Sequence, residues 1–336
     1  MNYKKDKIKT VFIGTPDFAV PSLRALINDT RFEVAAVVTQ PDKKVGRKQI
    51  LTPPPVKVET LKHNVNFFQP NKIENLKSEI LKLKPDIIIV AAYAQIMPKS
   101  ILEIPKYGCI NIHASLLPRY RGASPIQAAI MNGDGESGIT IMRMEKKVDT
   151  GPILTQMSIK ILPDDTSGSL YKKLSELGAE ILIPSLVGYT KGEIKPIPQD
   201  EQKASYAGLI KKKDGRIDWN KSAEEIERFV RAMNPWPGAF ASLKIKNQKS
   251  PASTSEAGQA KIKNNNQILK IIEVEFQPLK INNYKAGEIF LYNNKLAVQC
   301  GKDSLIIKKV QLEGKKALPA QEFIRGQKDL IGKFLI

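Results

Sequence analysis

Residues 73–92, IENLKSEILKLKPDIIIVAA, decide how the rest of the chain is read. Ile73, Leu76, Ile80, Leu81 and Leu83 recur close to the 3.6-residue period of a helix with one apolar face. Pro85 ends that pattern, and residues 86–92 form a short apolar run of the kind that becomes a strand buried on both faces. Working outward, further strand candidates are 10–13, 34–39 and 64–67 before it, and 109–113 and 138–142 after it. Strands alternating with helical stretches predict an α/β fold, here a Rossmann-like, open, mostly parallel sheet. In such sheets chemistry gathers beyond the carboxyl ends of the strands, where neighbouring crossovers diverge.

The second half has a different rhythm. A helical stretch at 167–190 is followed by 191–213, which is polar and broken by Pro196 and Pro198, and reads as a linker. A helix is expected at 222–233, where Ser222 with Glu225 three residues on forms a capping-box pattern. Short strand candidates follow at 238–245, 267–275, 287–292, 296–300 and 304–311, which suggests a smaller OB-like β-barrel. Residues 250–266 carry almost no apolar side chains and read as a mobile loop. The expected organisation is a domain over 1–190, a linker over 191–213 and a second domain over 214–336.

Composition narrows the function classes. The 336 residues, 42% of them hydrophobic, suit two domains. The longest unbroken apolar stretch, around Ile87, falls far short of the roughly 20 residues a spanning helix needs. The basic amino terminus (Lys4, Lys5, Lys7, Lys9) leads into an apolar run that meets Pro16 and Asp17 before a secretory segment could form, so the cytoplasm is the expected location. Cys109 and Cys300 sit in strand-like apolar contexts, which suggests reduced core residues. With two histidines and two cysteines in all, no metal site is expected. The formal charge of +19 is unevenly distributed, with +8 over residues 1–210 and +11 over the shorter remainder. A nucleic-acid partner would select such an imbalance, and a Lys-rich soluble surface would show it too.

The first strand ends in Gly14-Thr15-Pro16-Asp17-Phe18, without the spacing of a dinucleotide fingerprint, and the chain has no phosphate-loop motif. The informative stretch is Asn111-Ile112-His113-Ala114-Ser115-Leu116-Leu117-Pro118-Arg119-Tyr120-Arg121-Gly122. Strand alternation puts Asn111 and His113 on one face at the end where the crevice opens. For acyl transfer an amide can donate to a developing oxyanion while an imidazole relays a proton. Taken alone, the pair reads more readily as a polar strand end. Asp149, before Gly151-Pro152, could orient His113 or could simply be a turn residue bonded to its own backbone.

The chain resembles the methionyl-tRNA formyltransferases along nearly its whole length. The resemblance rests on Phe12-Ile13-Gly14-Thr15-Pro16-Asp17-Phe18-Ala19, on Thr39-Gln40-Pro41-Asp42 with Gly46-Arg47, and on the 111–122 block continuing through Gln127. Gly138-Ile139-Thr140-Ile141-Met142, Asp149-Thr150-Gly151, Asp165-Thr166-Ser167-Gly168, Arg216-Ile217-Asp218-Trp219 and Asn234-Pro235-Trp236-Pro237 extend it in the same order. The Asn-x-His pair and the later Asp belong to the wider formyltetrahydrofolate-using group. They mark the chemistry rather than the acceptor.

The resemblance implies a catalytic trio of Asn111, His113 and Asp149, and a folate-binding signature at Ser115, Leu116, Leu117 and Pro118. It implies 10-formyltetrahydrofolate as co-substrate and initiator methionyl-tRNA as acceptor; no metal and no membrane are expected from the composition, and, with no obligate protein partner evident, a monomer is expected. Lys43, Lys44, Arg47 and Lys48 fall where the family carries a loop that approaches tRNA, although a charge run alone is most often a solvated face. Lys211 to Lys213, Arg228, Arg231, Lys308, Lys309, Lys315 and Lys316 are further candidate backbone contacts, and Trp236 reads as a packed anchor. Two departures stand out: Tyr93-Ala94-Gln95 where Tyr-Gly-x is common, and the length of the 250–266 loop. The competing readings are a folate-dependent enzyme with a small-amine acceptor or one that hydrolyses the formyl group, and a non-catalytic RNA-binding protein.

Overall fold

The computed structural model describes residues 7–46, 48–244, 266–278 and 283–336. Arg47 and all but the last residue of the 250–266 loop lie outside the described residues. The chain divides into two compact units, one of Met1–Ala129, Asp134–Pro163 and Gly168–Leu209, the other of Ile130–Gly133, Asp164–Ser167 and Ile210–Ile336.

The first unit contains β1 (Ile8–Gly14), β2 (Phe32–Val38), β3 (Lys43–Val45), β4 (Ile50–Thr52), β5 (Phe67–Phe68), β6 (Ile87–Ala91), β7 (Cys109–His113), β8 (Arg121–Gly122), β9 (Glu136–Arg143), β10 (Ile153–Lys160) and β11 (Tyr206–Ala207). Seven of them form one sheet in the order β10-β9-β7-β6-β1-β2-β5. Pairing is parallel from β5 through β7, and antiparallel between β7 and β9 and between β9 and β10. All five residues of β6 are buried, as their unbroken apolar run requires. The helical segment before β6 opens as a tight 3-10 turn, Ile73–Leu76, and continues as an α-helix, Lys77–Leu83. Ile73, Leu76 and Ile80 face the core, whereas Leu81 is exposed. Because β2 and β5 lie on one side of β1, and β6 and β7 on the other, the crossovers diverge at the carboxyl ends of β1 and β6.

Two features of this unit are invisible to periodicity. β3 and β4 form a separate antiparallel hairpin whose paired residues are all exposed. The stretch 191–209, expected as linker, runs with the first unit, where β11 pairs in parallel with β8 and Ile197 exchanges two hydrogen bonds with Ile153.

The second unit contains β12 (Ala239–Lys244), β13 (Asn266–Gln277), β14 (Ile289–Tyr292), β15 (Lys295–Gln299), β16 (Ser304–Leu312) and β17 (Ala317–Pro319), in an antiparallel sheet ordered β12-β13-β16-β15-β14 with β17 beside β16. The two ends of this path are bridged by residues 333–336. Ser242 and Ile336 exchange hydrogen bonds beside β12, while Ile289 donates to Lys333 and Leu335 donates to Gly287 beside β14. Trp219, Ile226, Val230 and Met233 fill the core beneath the sheet. The helix Ala223–Ala232 starts at the expected capping box, in which the Glu225 amide donates to Ser222 Oγ and the Ser222 amide to Glu225 Oε2. Trp236, expected as a packed anchor, is instead 54% exposed, whereas Trp219 and Met233 are the large side chains of this stretch that are buried in the core. Arg228 pairs with Glu224, Arg231 with Glu227 and Lys308 with Glu275, so these three cations are partly neutralised before any partner arrives.

Candidate active site

The parallel strands deliver β7 with Asn111 and His113 side by side at its carboxyl end, as alternation requires. Asp149, in the turn between β9 and β10, reaches both. Asn111 Nδ2 donates to Asp149 Oδ1 at 3.3 Å, and His113 Nδ1 lies 3.6 Å from Asp149 Oδ2. The Gly122 amide donates to the same Oδ2 at 2.9 Å. His113 Nε2 stands 3.0 Å from the carbonyl of Tyr120; a carbonyl only accepts, which assigns the hydrogen on that nitrogen. One carboxylate thus spans an amide, an imidazole and a backbone donor, and Asn111 keeps one amide hydrogen beyond the one Asp149 takes.

The backbone is shaped around this carboxylate. Asp149 itself adopts φ +55, a left-handed conformation that costs a non-glycine residue on the order of 1 kcal/mol. Two residues on, a Cβ at Gly151 would lie 1.9 Å from the carbonyl oxygen of Arg143. Gly122 has φ +110, and a Cβ there would meet the Ala207 carbonyl at 2.6 Å. The Asp149-Thr150-Gly151 and Arg121-Gly122 segments therefore need their glycines for space.

A cavity of about 670 Å³ opens beside the trio, lined at the carboxyl ends of β1, β6 and β7 by residues including Phe18, Tyr93, Met97, Ile112, Met144 and Tyr171. It lies where the diverging crossovers predict a ligand crevice. Burial pushes the Tyr93 phenol up to about 12, and its buried hydroxyl has no partner among the described residues. Burial, and then the bond its hydroxyl makes to Asp17, raise Tyr171 as well. Both phenols stay neutral; Tyr171 already gives its hydrogen to Asp17, which leaves Tyr93 able to donate. Ala92 and Ala94, also in the lining, have φ +48 and +60, which gives a physical reason why a glycine would suit position 94.

The other expected site residues fall elsewhere. Ser115 to Pro118 are not among the cavity's lining residues. They form a turn behind the trio: Ser115 Oγ donates to the Arg119 carbonyl, Thr140 Oγ1 donates to the Ser115 carbonyl and accepts from the Leu117 amide, and Gln156 Nε2 donates to the Leu117 carbonyl. That turn sets the path from His113 to Tyr120. Lys43, Lys44 and Lys48 lie together on the exposed β3–β4 hairpin, away from the trio's bonding network. Its base is anchored by Asp42, which accepts from Gln69 Nε2 at 2.7 Å and from Lys57 at 2.9 Å, bonds that hold its carboxyl below the usual range. Sequence reasoning missed Gln199, whose amide contacts the backbone of the Asp149 turn, and gave Arg121 no role. Among the described residues no cluster of three or more His, Cys, Asp or Glu could hold a metal ion, and no helix is long and apolar enough to cross a membrane.

Comparison with known proteins gives this geometry its family. The Formyl transferase family model matches residues 7–186, and the model of the Formyl transferase C-terminal domain matches 209–328. The methionyl-tRNA formyltransferase of Caldicellulosiruptor saccharolyticus is 46% identical over 330 residues, covering 97% of this chain and 99% of its own. That of Citrifermentans bemidjiense is 43% identical over 333 residues, 97% of both chains. Among solved structures, an N-formyltransferase from Helicobacter canadensis in complex with folinic acid and dTDP-3-aminofucose superposes with a TM-score of 0.62 at 20% identity, over 89% of this chain and 99% of its own. HypX from Aquifex aeolicus in complex with tetrahydrofolic acid gives 0.59 at 16% identity, over 97% of this chain and 48% of the longer HypX chain. These two structures share the fold, while the sequence matches span both of its units: the chain belongs to the formyl transferase family, in its methionyl-tRNA formyltransferase branch.

Proposed function

We propose that the protein transfers a formyl group from 10-formyltetrahydrofolate to the α-amine of methionine carried on initiator tRNA. The observation that carries the chemistry is the Asp149 carboxylate spanning Asn111 and His113 beside the cavity. Full-length similarity to methionyl-tRNA formyltransferases supports the acceptor.

The folate supplies the formyl carbon, which gains a bond to the amine nitrogen and loses its bond to the folate nitrogen. Asn111 presents its remaining amide hydrogen to the formyl oxygen as charge gathers there. Asp149 accepts the proton released by the attacking amine and shares it with Nδ1 of His113, and that proton passes to the folate nitrogen as its bond to the formyl carbon breaks. With Nε2 committed to the Tyr120 carbonyl, the ring keeps one orientation throughout. The cavity's apolar walls and neutral phenols suit a flat, partly polar ring system, and Ser115 to Pro118 serve the donor from behind, as the scaffold of the wall.

Lys43, Lys44, Arg47 and Lys48 meet the acceptor end of the tRNA. The residues from 214 onward act as an OB-like, tRNA-binding barrel, a reading that the bridge made by residues 333–336 supports. In this reading 1–190 is the catalytic domain, completed by 191–209, which packs with it, and the rest of 191–213 leads on to the second. The protein works as a monomer in the cytoplasm, where charged tRNA is made. The test is folate-dependent formylation of charged initiator and elongator tRNA in parallel, read by the mass of the aminoacyl group. Rapid formylation of the initiator alone is expected; transfer to a small amine with neither tRNA modified would sink the acceptor assignment.

A further inference from the structure

We infer that Gln199 is a positioning residue that holds the Asp149 carboxylate in its working orientation, and that Arg121 in turn orients Gln199. The inference rests on the formyl-transfer reading of the trio and asks what keeps Asp149 in place. A left-handed aspartate in a turn does not hold itself there; something must over-determine it.

Gln199 Nε2 donates to the carbonyl of Asp149 at 2.8 Å and to that of Gly151 at 2.7 Å. An amide nitrogen has two hydrogens, so one side chain clamps both ends of the turn and has no donor left. Its Oε1 accepts from Arg121 Nε at 3.1 Å and Nη2 at 2.8 Å. A guanidinium only donates and a carbonyl only accepts, so Arg121 decides which way the amide faces. Arg121 is 1% exposed, and its other edge is paired with Glu201 at 2.7 Å, which raises the arginine's proton affinity further. The next residue, Gly122, donates its amide to Asp149 Oδ2. Two consecutive residues of β8 therefore control Asp149 from both sides, Gly122 through the carboxylate and Arg121 through Gln199 and the backbone.

The segment carrying Gln199 has its own anchor. Ile197 exchanges 2.8 Å backbone bonds with Ile153, so changing the Gln199 side chain removes the clamp without freeing the chain.

Two substitutions separate positioning from mere satisfaction of a buried arginine. Gln199→Glu keeps acceptors for Arg121 and removes both donors to the turn; Gln199→Ala removes both. Both variants are expected to lose about 10- to 100-fold in kcat, with KM for each substrate within about twofold, because small misplacements of reacting groups cost that much. Thermal midpoints should stay close to that of the unsubstituted protein. Hydrogen exchange of the Gly122 amide, measured without substrates, should quicken by about tenfold or more as its acceptor moves away. Unchanged kcat and unchanged Gly122 exchange in Gln199→Glu would overturn the inference. So would a loss of activity wholly accounted for by unfolded protein. If the unsubstituted protein transfers no formyl group, the functional reading falls, and Gly122 exchange still decides whether Gln199 positions Asp149.

Discussion

The Asp149 turn and the Lys43–Thr52 hairpin follow the same sheet, yet they are built to different tolerances. At Asp149 the carboxylate meets Asn111, His113 and the Gly122 amide, and the carbonyl meets Gln199. On the hairpin the six strand residues are exposed, Lys43 folds back to Gln40, and the apolar side chains of Val45, Ile50 and Leu51 face solvent. Chemistry that depends on fractions of an ångström needs the first arrangement. A surface that must adapt to a large, charged partner is served by the second, provided its base is fixed.

The largest effect is expected at the turn. Asn111→Ala is expected to lower kcat by roughly 100- to 1,000-fold, the range for removing one oxyanion donor. Saturating single-turnover assays check it, and a loss under about threefold would contradict the role assigned to Asn111.

Replacing Lys43, Lys44 and Lys48 together by Ala should act on binding instead. KM for tRNA is expected to rise about tenfold with kcat nearly unchanged, and the log–log salt dependence should flatten by about one unit per lysine that contacts a phosphate. A fall in kcat as large as that of Asn111→Ala would erase the distinction between the two regions.

The hairpin's base can be tested separately, through the helix Pro55–Lys62 that follows it. Glu59 is buried and bonded to Arg24, Lys62 and His63, and the Arg24 guanidinium above all holds its carboxyl down at about 2. A depressed carboxylate stabilises the fold above its ordinary pKa, near 4.5, and that contribution is lost as pH falls from there through about 2. Glu59→Gln should therefore cost about 1–3 kcal/mol at pH 7, and the difference in denaturation midpoint should shrink toward zero as the pH approaches 2.

The smallest effect is expected at the cavity wall. Ala94→Gly relieves a left-handed alanine and adds freedom to the unfolded chain, two terms of similar size. Stability should change by less than about 1 kcal/mol, measured by urea denaturation, and folate KM should stay within about twofold.

What the sequence reveals follows the range of the interactions. Strand β7 is predicted to the residue because Gly108, at φ +76, and an apolar run delimit it locally. Strand β10 escapes because it is a sheet edge: half of Ile153–Lys160 is exposed, and it mixes Thr, Gln and Ser with apolar residues, leaving no run to detect. The β3–β4 hairpin escapes for the same reason, with lysines inside a three-residue strand. The trio is legible because three residue types recur in a recognisable order. Gln199 is not, since one amide in a proline-broken polar stretch gains meaning only from Arg121, 78 positions away, and Asp149, 50 positions away. Ser115 to Pro118 are legible as a motif, but their work as a buried turn appears only once Thr140 and Gln156 are seen against them.

The bridge formed by residues 333–336 also bears on how the molecule assembles. In the first unit the β1–β2 and β6–β7 pairs join strands separated by short crossovers, so those parts of its sheet can grow locally, while the β1–β6 pair already spans from Thr10 to Ile87. Closing the second unit's sheet requires Ile336 to find Ser242, on the far side of β13 to β17. Contacts across so long a loop form late, since the entropy of closure precedes the reward. The second unit therefore completes its sheet with a final stitch, and until it does, β12 and β14 remain open edges that invite pairing with another chain.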